Sequence, residues 1–276
     1  MLSLSPSLSL YLSLSPSFPS FSPLSLLPRA FPQGEAVGII GGSGTGKSTT
    51  LKLAAGLLAP DHGEVIIKGR ARQGLLADDE ESAGQLKMGL VFQSAALFDS
   101  LTVGENVGFL LYEHSDLPPA EIERRVSESL ARVGMRGIEG LYPAELSGGM
   151  KKRVALARAI ISDATSSSSS STSSSTMNHE VEQVIMYDEP TAGLDPVAST
   201  VVEDLMRNLR NSSPDVAAYI VVTHQHSTIR RATDRIIFLH EGTVVWEGTT
   251  PEFDTTTNEY VVQFREGTLK GPIQYV

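Results

Sequence analysis

The chain predicts an α/β fold with a mostly parallel sheet, and three observations predict it. Short apolar runs (EAVGII, KMGLVF, VIMY, YIVVT) alternate with segments of helical character, the pattern that builds parallel strands with helical crossovers. The first run leads directly into GGSGTGKST, Gly41 to Thr49, a glycine-rich turn that ends where a helix begins. The run VIMY stops on two adjacent carboxylates, Asp188 and Glu189. That is an unfavourable end for a buried strand unless something uses the charges.

Taken in order, residues 1–33 stand apart. They are mostly Ser, Leu and Pro, with no acidic residue and Arg29 as the single base. Leu–Ser alternation imitates a strand, but the repeated prolines break any ladder, so the segment is expected to lie outside the fold. It lacks the charged start and continuous apolar core of a secretory signal. Its Ser-rich, acid-free composition suits an organelle transit peptide, and non-native sequence from a wrongly drawn start is the alternative.

EAVGII then reads as a buried strand, followed by the Gly-rich turn and a helix from about Lys47 to Leu57. GEVIIKG and KMGLVF read as strands, and residues 102–112 and 118–133 as helices, the second opening with proline and acids in its first turn. A helix follows Ser147, strands recur at VIMY and YIVVT, and RIIFLHEGTVVWEG reads as a hairpin turning at Glu241 and Gly242. The tract Thr165–Thr176 is entirely Ser and Thr; it can bury no apolar area to offset its ordering entropy and is expected to be a disordered insertion. The C-terminal stretch from Thr250 reads either as a regulatory or dimer-strapping extension or as a packed helix with a frayed end.

Composition excludes several classes. With 276 residues and 41% hydrophobic content the chain can form one large domain or two small ones. No stretch approaches the roughly 18 apolar residues of a membrane span. Cysteine is absent, which rules out disulfides and thiolate metal sites. A net charge of -10 argues against a nucleic-acid binder. The local bases Lys151, Lys152, Arg153 and Arg158 read as an exposed helix face.

GGSGTGKST matches the phosphate-binding P-loop pattern G-x-x-x-x-G-K-[ST] in the required strand–turn–helix context. Gly41, Gly42, Ser43, Gly44, Thr45, Gly46 and Thr49 would let backbone N–H groups curl around phosphate oxygens at a helix N-terminus. Lys47 would reach the β- and γ-phosphates of ATP, and the Ser48 hydroxyl would ligate Mg²⁺. The strand ending on Asp188 then has a purpose: Asp188 would hold Mg²⁺ through its water shell, and Glu189 would act as general base on the attacking water.

LSGGMKKRVALARA, Leu146 to Ala159, adds a second anion site: Ser147 is a good N-cap, and Gly148 and Gly149 leave N–H groups open. Followed by the acidic strand, with Gln93 in LVFQSAALF, AGLD (Ala192 to Asp195) and His224 in VVTHQHS, the ordered set resembles the ATP-binding cassette (ABC) family over about residues 34–270. The resemblance implies an ABC-type P-loop NTPase with a helical subdomain at about residues 94–160, an antiparallel β portion and a short tail at 271–276. It implies a homodimer with two sandwiched ATPs, in which Ser147, Gly148 and Gly149 act in trans. It also implies that Gln93 joins the metal site, that Asp195 lies beside the nucleotide and that His224 contacts the γ-phosphate.

FQSAALFDSLTVGENVGFLLYEHSDLP and THQHSTIRRATDRIIFLHEG look more specifically like ATPase subunits of lipid importers with a mammalian-cell-entry-type lipid-binding partner. Among these they are similar to plastid trigalactosyldiacylglycerol-type and bacterial lipid-asymmetry importers, with Met150 where many cassettes carry Gln. This closer resemblance implies import of a phospholipid, phosphatidic acid or a related ER-derived lipid, at the stromal face of the chloroplast inner envelope. A multi-span permease would be the membrane partner. The alternatives are a soluble non-transport cassette and a truncated cassette with impaired ATP binding. Truncation enters because cassettes usually start with a hairpin bearing an aromatic for the adenine ring. Here Phe18, Phe21 and Phe31 have no evident strand pair around them, and an exposed sheet edge is expected. The long spacing from Ser147 to Asp188 is tolerable, because loop-closure entropy grows slowly with length.

Overall fold

In chain order the described elements are β1 (Leu8–Leu12), β2 (Arg29–Phe31), β3 (Ala36–Gly41), α1 (Lys47–Ala54), β4 (Val65–Ile67), β5 (Arg70–Arg72) and β6 (Lys87–Val91). There follow α2 (Val103–His114), α3 (Pro119–Arg132), α4 (Gly148–Ile160), β7 (Gln183–Asp188), α5 (Pro196–Ser212) and β8 (Val216–Val222). The chain finishes with α6 (His226–Ala232), β9 (Arg235–His240), β10 (Thr243–Thr249), α7 (Thr250–Thr255) and α8 (Glu259–Glu266). The computed structural model describes residues 8–12, 29–31, 34–61, 65–67, 70–72, 74–75, 86–161, 183–212 and 216–274. The Ser/Thr tract Thr165–Thr176 lies outside them. Two units are distinguished: residues 1–90, 181–190 and 206–276 form the first, and 91–180 with 191–205 the second.

The first unit is built on a six-stranded sheet of order β10-β9-β3-β8-β7-β6. β3 pairs in parallel with both β8 and β9, β7 pairs in parallel with β8, and β10 closes the edge antiparallel to β9. All six residues of β3 are buried, as they are for a parallel strand covered on both faces. Side-chain alternation divides them: Val37 and Ile39 join a core with Leu51 and Leu53 of α1, whereas Ile40 joins a second core on the opposite side. The C-terminus of α1 ends on a buried cation. Arg72 of β5 donates Nη1 to Ala54 O at 2.9 Å and Nη2 to Leu53 O, placing a cation on the negative end of the helix dipole.

A four-stranded antiparallel sheet of order β2-β1-β4-β5 corrects the expectation for residues 1–33. The segment expected to lie outside the fold supplies two strands, with Leu8 opposite Phe31, Leu10 opposite Arg29 and Tyr11 opposite Ile66. The physical reason is where the prolines fall. Leu8–Leu12 sits between Pro6 and Pro16, and Arg29–Phe31 between Pro28 and Pro32, so the prolines bound the strands and leave the ladders intact. Of the expected unpaired aromatics, Phe31 lies in β2, while Phe18 and Phe21 fall outside the described residues.

The C-terminal stretch is packed. Phe253 of α7, Val261 of α8 and Ile273 form the second core with Ile40, Ile229, Ile236 and Phe238. Gln263 pins the end of this stretch: its Nε2 donates to Ile273 O at 2.8 Å, and Ile273 N donates to its Oε1 at 2.7 Å. Phe253 is 0% exposed, so Phe253→Ala is expected to cost about 3–5 kcal/mol, read by chemical denaturation of the full chain.

Beside this core His226 stacks on Phe264 (5.1 Å, 25°) and meets Phe253 edge-on. Burial, then the neighbouring Arg230 cation, pushes its pKa below the usual 6.5, against the Phe264 carbonyl and Asp254, which pull it up. A base with a depressed folded pKa stabilises the fold fully above its unfolded value, and that contribution is lost as pH falls through the folded value. Stability should therefore drop as pH falls below about 6.5, and His226→Phe should flatten that part of the profile in pH-dependent thermal melts.

The second unit holds α2, α3 and α4. Thr102 starts α2 with a capping box: Glu105 N donates to Thr102 Oγ1 (3.2 Å) and Thr102 N to Glu105 Oε2 (2.7 Å). Ile122, Val126 and Leu130 recur every four residues as the buried stripe of α3, and Ser129 Oγ ties that helix to Ala157 O of α4 at 2.7 Å. Among the described residues no helix is long and apolar enough to cross a membrane.

Candidate functional site

β3 delivers the chain to Gly41 at a point where no side chain fits: a Cβ there would lie 2.1 Å from Leu239 O on the paired strand. At Gly44, φ is +75°, a conformation that favours glycine. Thr45 Oγ1 closes the turn on Gly42 O at 3.0 Å, and Gly46, at φ 92°, begins α1. Lys47 folds back over the turn, donating Nζ to Gly41 O (3.0 Å) and Gly42 O (2.7 Å). Burial lowers its pKa, while Glu189 and Asp188 pull it up.

Ser48 Oγ donates to Asp188 Oδ1 at 2.8 Å, which joins the turn to the end of β7. Glu189, the next residue, leaves the strand at φ 49°. A non-glycine residue there carries strain of about 1–3 kcal/mol, and such strain concentrates at functional sites. The position is held by Glu189 N donating to Val222 O at 2.9 Å. Its carboxylate Oε1 accepts from His224 Nδ1 at 2.8 Å. The first unit therefore brings Gly41–Thr49, Asp188, Glu189 and His224 together: an amide-lined cradle, a cation, a hydroxyl–carboxylate pair and a buried carboxylate with a histidine on it.

Gln93, Ser147, Gly148, Gly149 and Asp195 belong to the second unit. Ser147 caps α4, accepting from Met150 N at 3.3 Å. A Cβ at Gly148 or Gly149 would touch Leu194 or Ala198 at 3.6 and 3.5 Å, so this helix start lies against the segment carrying Asp195. The Asp195 carboxylate is itself in use, accepting from Val197 N and Ala198 N at the start of α5.

The expectation that Lys151, Lys152, Arg153 and Arg158 form an exposed face needs correcting. Lys152 is only 7% exposed. It donates to Gln93 O, and Arg158 donates to Ala95 O (3.0 Å) and Ala96 O (2.8 Å). Ala95 and Ala96 have φ of 64° and 49°, a conformation that turns their carbonyls toward these cations. The bases thus fix the segment that carries Gln93. No local motif signals this, because the partners lie about sixty residues upstream.

The family model for the ABC transporter matches residues 27–166. The chain belongs to the ABC transporter family. It is an ABC ATPase, a nucleotide-binding cassette. It is 57% identical over 249 residues to Protein TRIGALACTOSYLDIACYLGLYCEROL 3, chloroplastic, of Arabidopsis thaliana, covering 88% of this chain and 68% of that protein. It is 35% identical over 245 residues to the intermembrane phospholipid transport system ATP-binding protein MlaF of Haemophilus influenzae, covering 88% of this chain and 84% of that one. Among solved structures it resembles a dimeric ATP-binding cassette in a post-hydrolysis state bound to ADP and Pi, with a TM-score of 0.65 and 29% identity, over 90% of this cassette and 97% of that chain. Cassettes of this family work as dimers with membrane permease partners.

Proposed function

We propose that this cassette is the ATP-hydrolysing subunit of a phospholipid importer in the chloroplast, seated at the stromal face of the inner envelope. The observation that carries the cargo and the compartment is the 57% identity to a relative named as chloroplastic, alongside the 35% identity to one named for phospholipid transport. A multi-span permease and a lipid-binding subunit of the mammalian-cell-entry type are the partners this reading requires.

The residues fit ATP with Mg²⁺. Ser48 Oγ and Asp188 Oδ1, 2.8 Å apart, are hard oxygen donors of the kind Mg²⁺ takes, and Gln93 is the third proposed contributor. Bound there, Mg²⁺ would neutralise charge on the β- and γ-phosphates. The amides of Gly42 to Thr49 bind phosphate oxygens, and Lys47 exchanges the Gly41 and Gly42 carbonyls for the β- and γ-phosphates. Glu189 takes the proton of the attacking water, and His224, already hydrogen-bonded to Glu189, contacts the γ-phosphate. Ser147, Gly148 and Gly149 close on the nucleotide of the second copy, with Asp195 beside it.

The test is affinity purification from plastid envelope followed by reconstitution into liposomes. Co-purification with a multi-span permease, and ATP turnover stimulated by phosphatidic acid over phosphatidylcholine, are the expected results. Recovery with nucleic acid or ribosomes and no permease would replace this reading with the soluble one.

A further inference from the structure

The loop that carries His224 is tied down at both ends, and its second tie leads away from the nucleotide. Upstream, Thr223 N donates to Ile39 O at 3.2 Å, and Gln225 N returns to Thr223 Oγ1 at 3.1 Å. Downstream the anchor is a ring. His226 stacks on Phe264 at 5.1 Å and 25°, and meets Phe253 edge-on at 6.2 Å. Phe264 stands edge-on to Phe238 of β9 at 5.3 Å, so the stack is fixed to the central sheet. Phe264 lies in α8, so His226 packs on a C-terminal helix while sitting two residues from His224. The His224 side chain is 60% exposed, so its own packing does little to fix it, and its place on Glu189 depends on where the backbone holds it.

We infer that His226 is a positioning residue for ATP hydrolysis, its ring clamping the His224 loop to Phe253 and Phe264 so that His224 stays on Glu189. The inference rests on the roles proposed above for Glu189 and His224. It makes the C-terminal helices part of the hydrolytic apparatus although they touch no phosphate: a shift of α8 moves His226, and with it the reach of His224. Binding of ATP through the P-loop does not pass through this contact, so turnover and affinity separate. The depressed basicity of His226 agrees with a neutral ring held in an apolar stack.

The experiment is steady-state ATP hydrolysis by the full chain carrying His226→Ala, His226→Phe or Phe264→Leu, with Glu189→Gln and His224→Ala as controls and thermal unfolding recorded for each. His226→Ala should lower kcat roughly ten- to a hundredfold, the upper end being about the cost of a 1 Å misplacement of a reacting group, with KM for ATP changed less than about twofold. His226→Phe keeps an aromatic face against Phe264 and should recover most of kcat. Phe264→Leu should behave like His226→Ala, and it carries the test if His226→Ala does not fold. Unchanged kcat in folded His226→Ala, with both controls inactive, overturns the inference and leaves the catalytic reading standing. Equal loss in His226→Ala and His226→Phe also overturns it, because the ring contact would then not be what matters. Retained turnover in both controls overturns the catalytic reading and this inference with it.

Discussion

Glu189→Gln should abolish ATP turnover while leaving ATP-driven dimerisation intact. The amide is isosteric, so it can keep its place beside Val222 and still accept from His224 Nδ1, the contact seen at 2.8 Å. What it loses is the capacity to take a proton. Removing a positioned general base costs on the order of 10²–10⁴ in rate. In the proposed reading ATP contacts the cradle, Lys47 and the Ser48–Asp188 pair, none of which the substitution alters, so the nucleotide sandwich should form and persist. Phosphate release and ATP-dependent sedimentation of the same sample check both halves. Turnover within about tenfold of the unaltered chain would remove the base role from Glu189.

Lys47→Ala should fail one step earlier, at binding. The ammonium is bonded to the carbonyls of Gly41 and Gly42, neutral acceptors that it can exchange for anionic ones. Hydrogen bonds to charged groups contribute about 1.5–3 kcal/mol, so the loss of this cation should weaken ATP affinity about ten- to a hundredfold. The substitution also removes a positive charge that interacts with Asp188 and Glu189, both buried. Titration with a fluorescent ATP analogue reads the effect, and affinity equal to that of the unaltered chain would show that the cradle amides suffice.

Both predictions rest on residues that are legible in one dimension, because their chemistry requires local spacing. The P-loop must turn tightly, so its glycines lie within a few positions of one another. Asp188 and Glu189 must end an apolar strand, so they follow VIMY. The turn at Glu241 and Gly242 was equally readable: both residues take positive φ, 46° and 74°, as a tight hairpin joint requires. What the sequence hides is contact between distant segments. Lys152 and Arg158 look like a solvated face until the carbonyls of Gln93, Ala95 and Ala96 are placed beneath them. Gln263 gives no sign of its grip on Ile273, nor His226 of its stack on Phe264. The strand Leu8–Leu12 was concealed differently: its alternation was visible, but the flanking prolines read as breakers when they act as boundaries.

The central place of β3 has a consequence for the order in which the molecule acquires its shape. Its two neighbours in the sheet, β8 and β9, are drawn from the last quarter of the chain. Glu35, just before β3, pairs with Arg235 at 2.7 Å, 200 residues downstream. Contacts of such sequence separation form late, because the entropy of closing the loop precedes any gain from pairing. The phosphate-binding turn is therefore among the first functional segments to be synthesised and among the last to be shaped. A cassette halted part-way through translation would display GGSGTGKST without the two strands that flank β3.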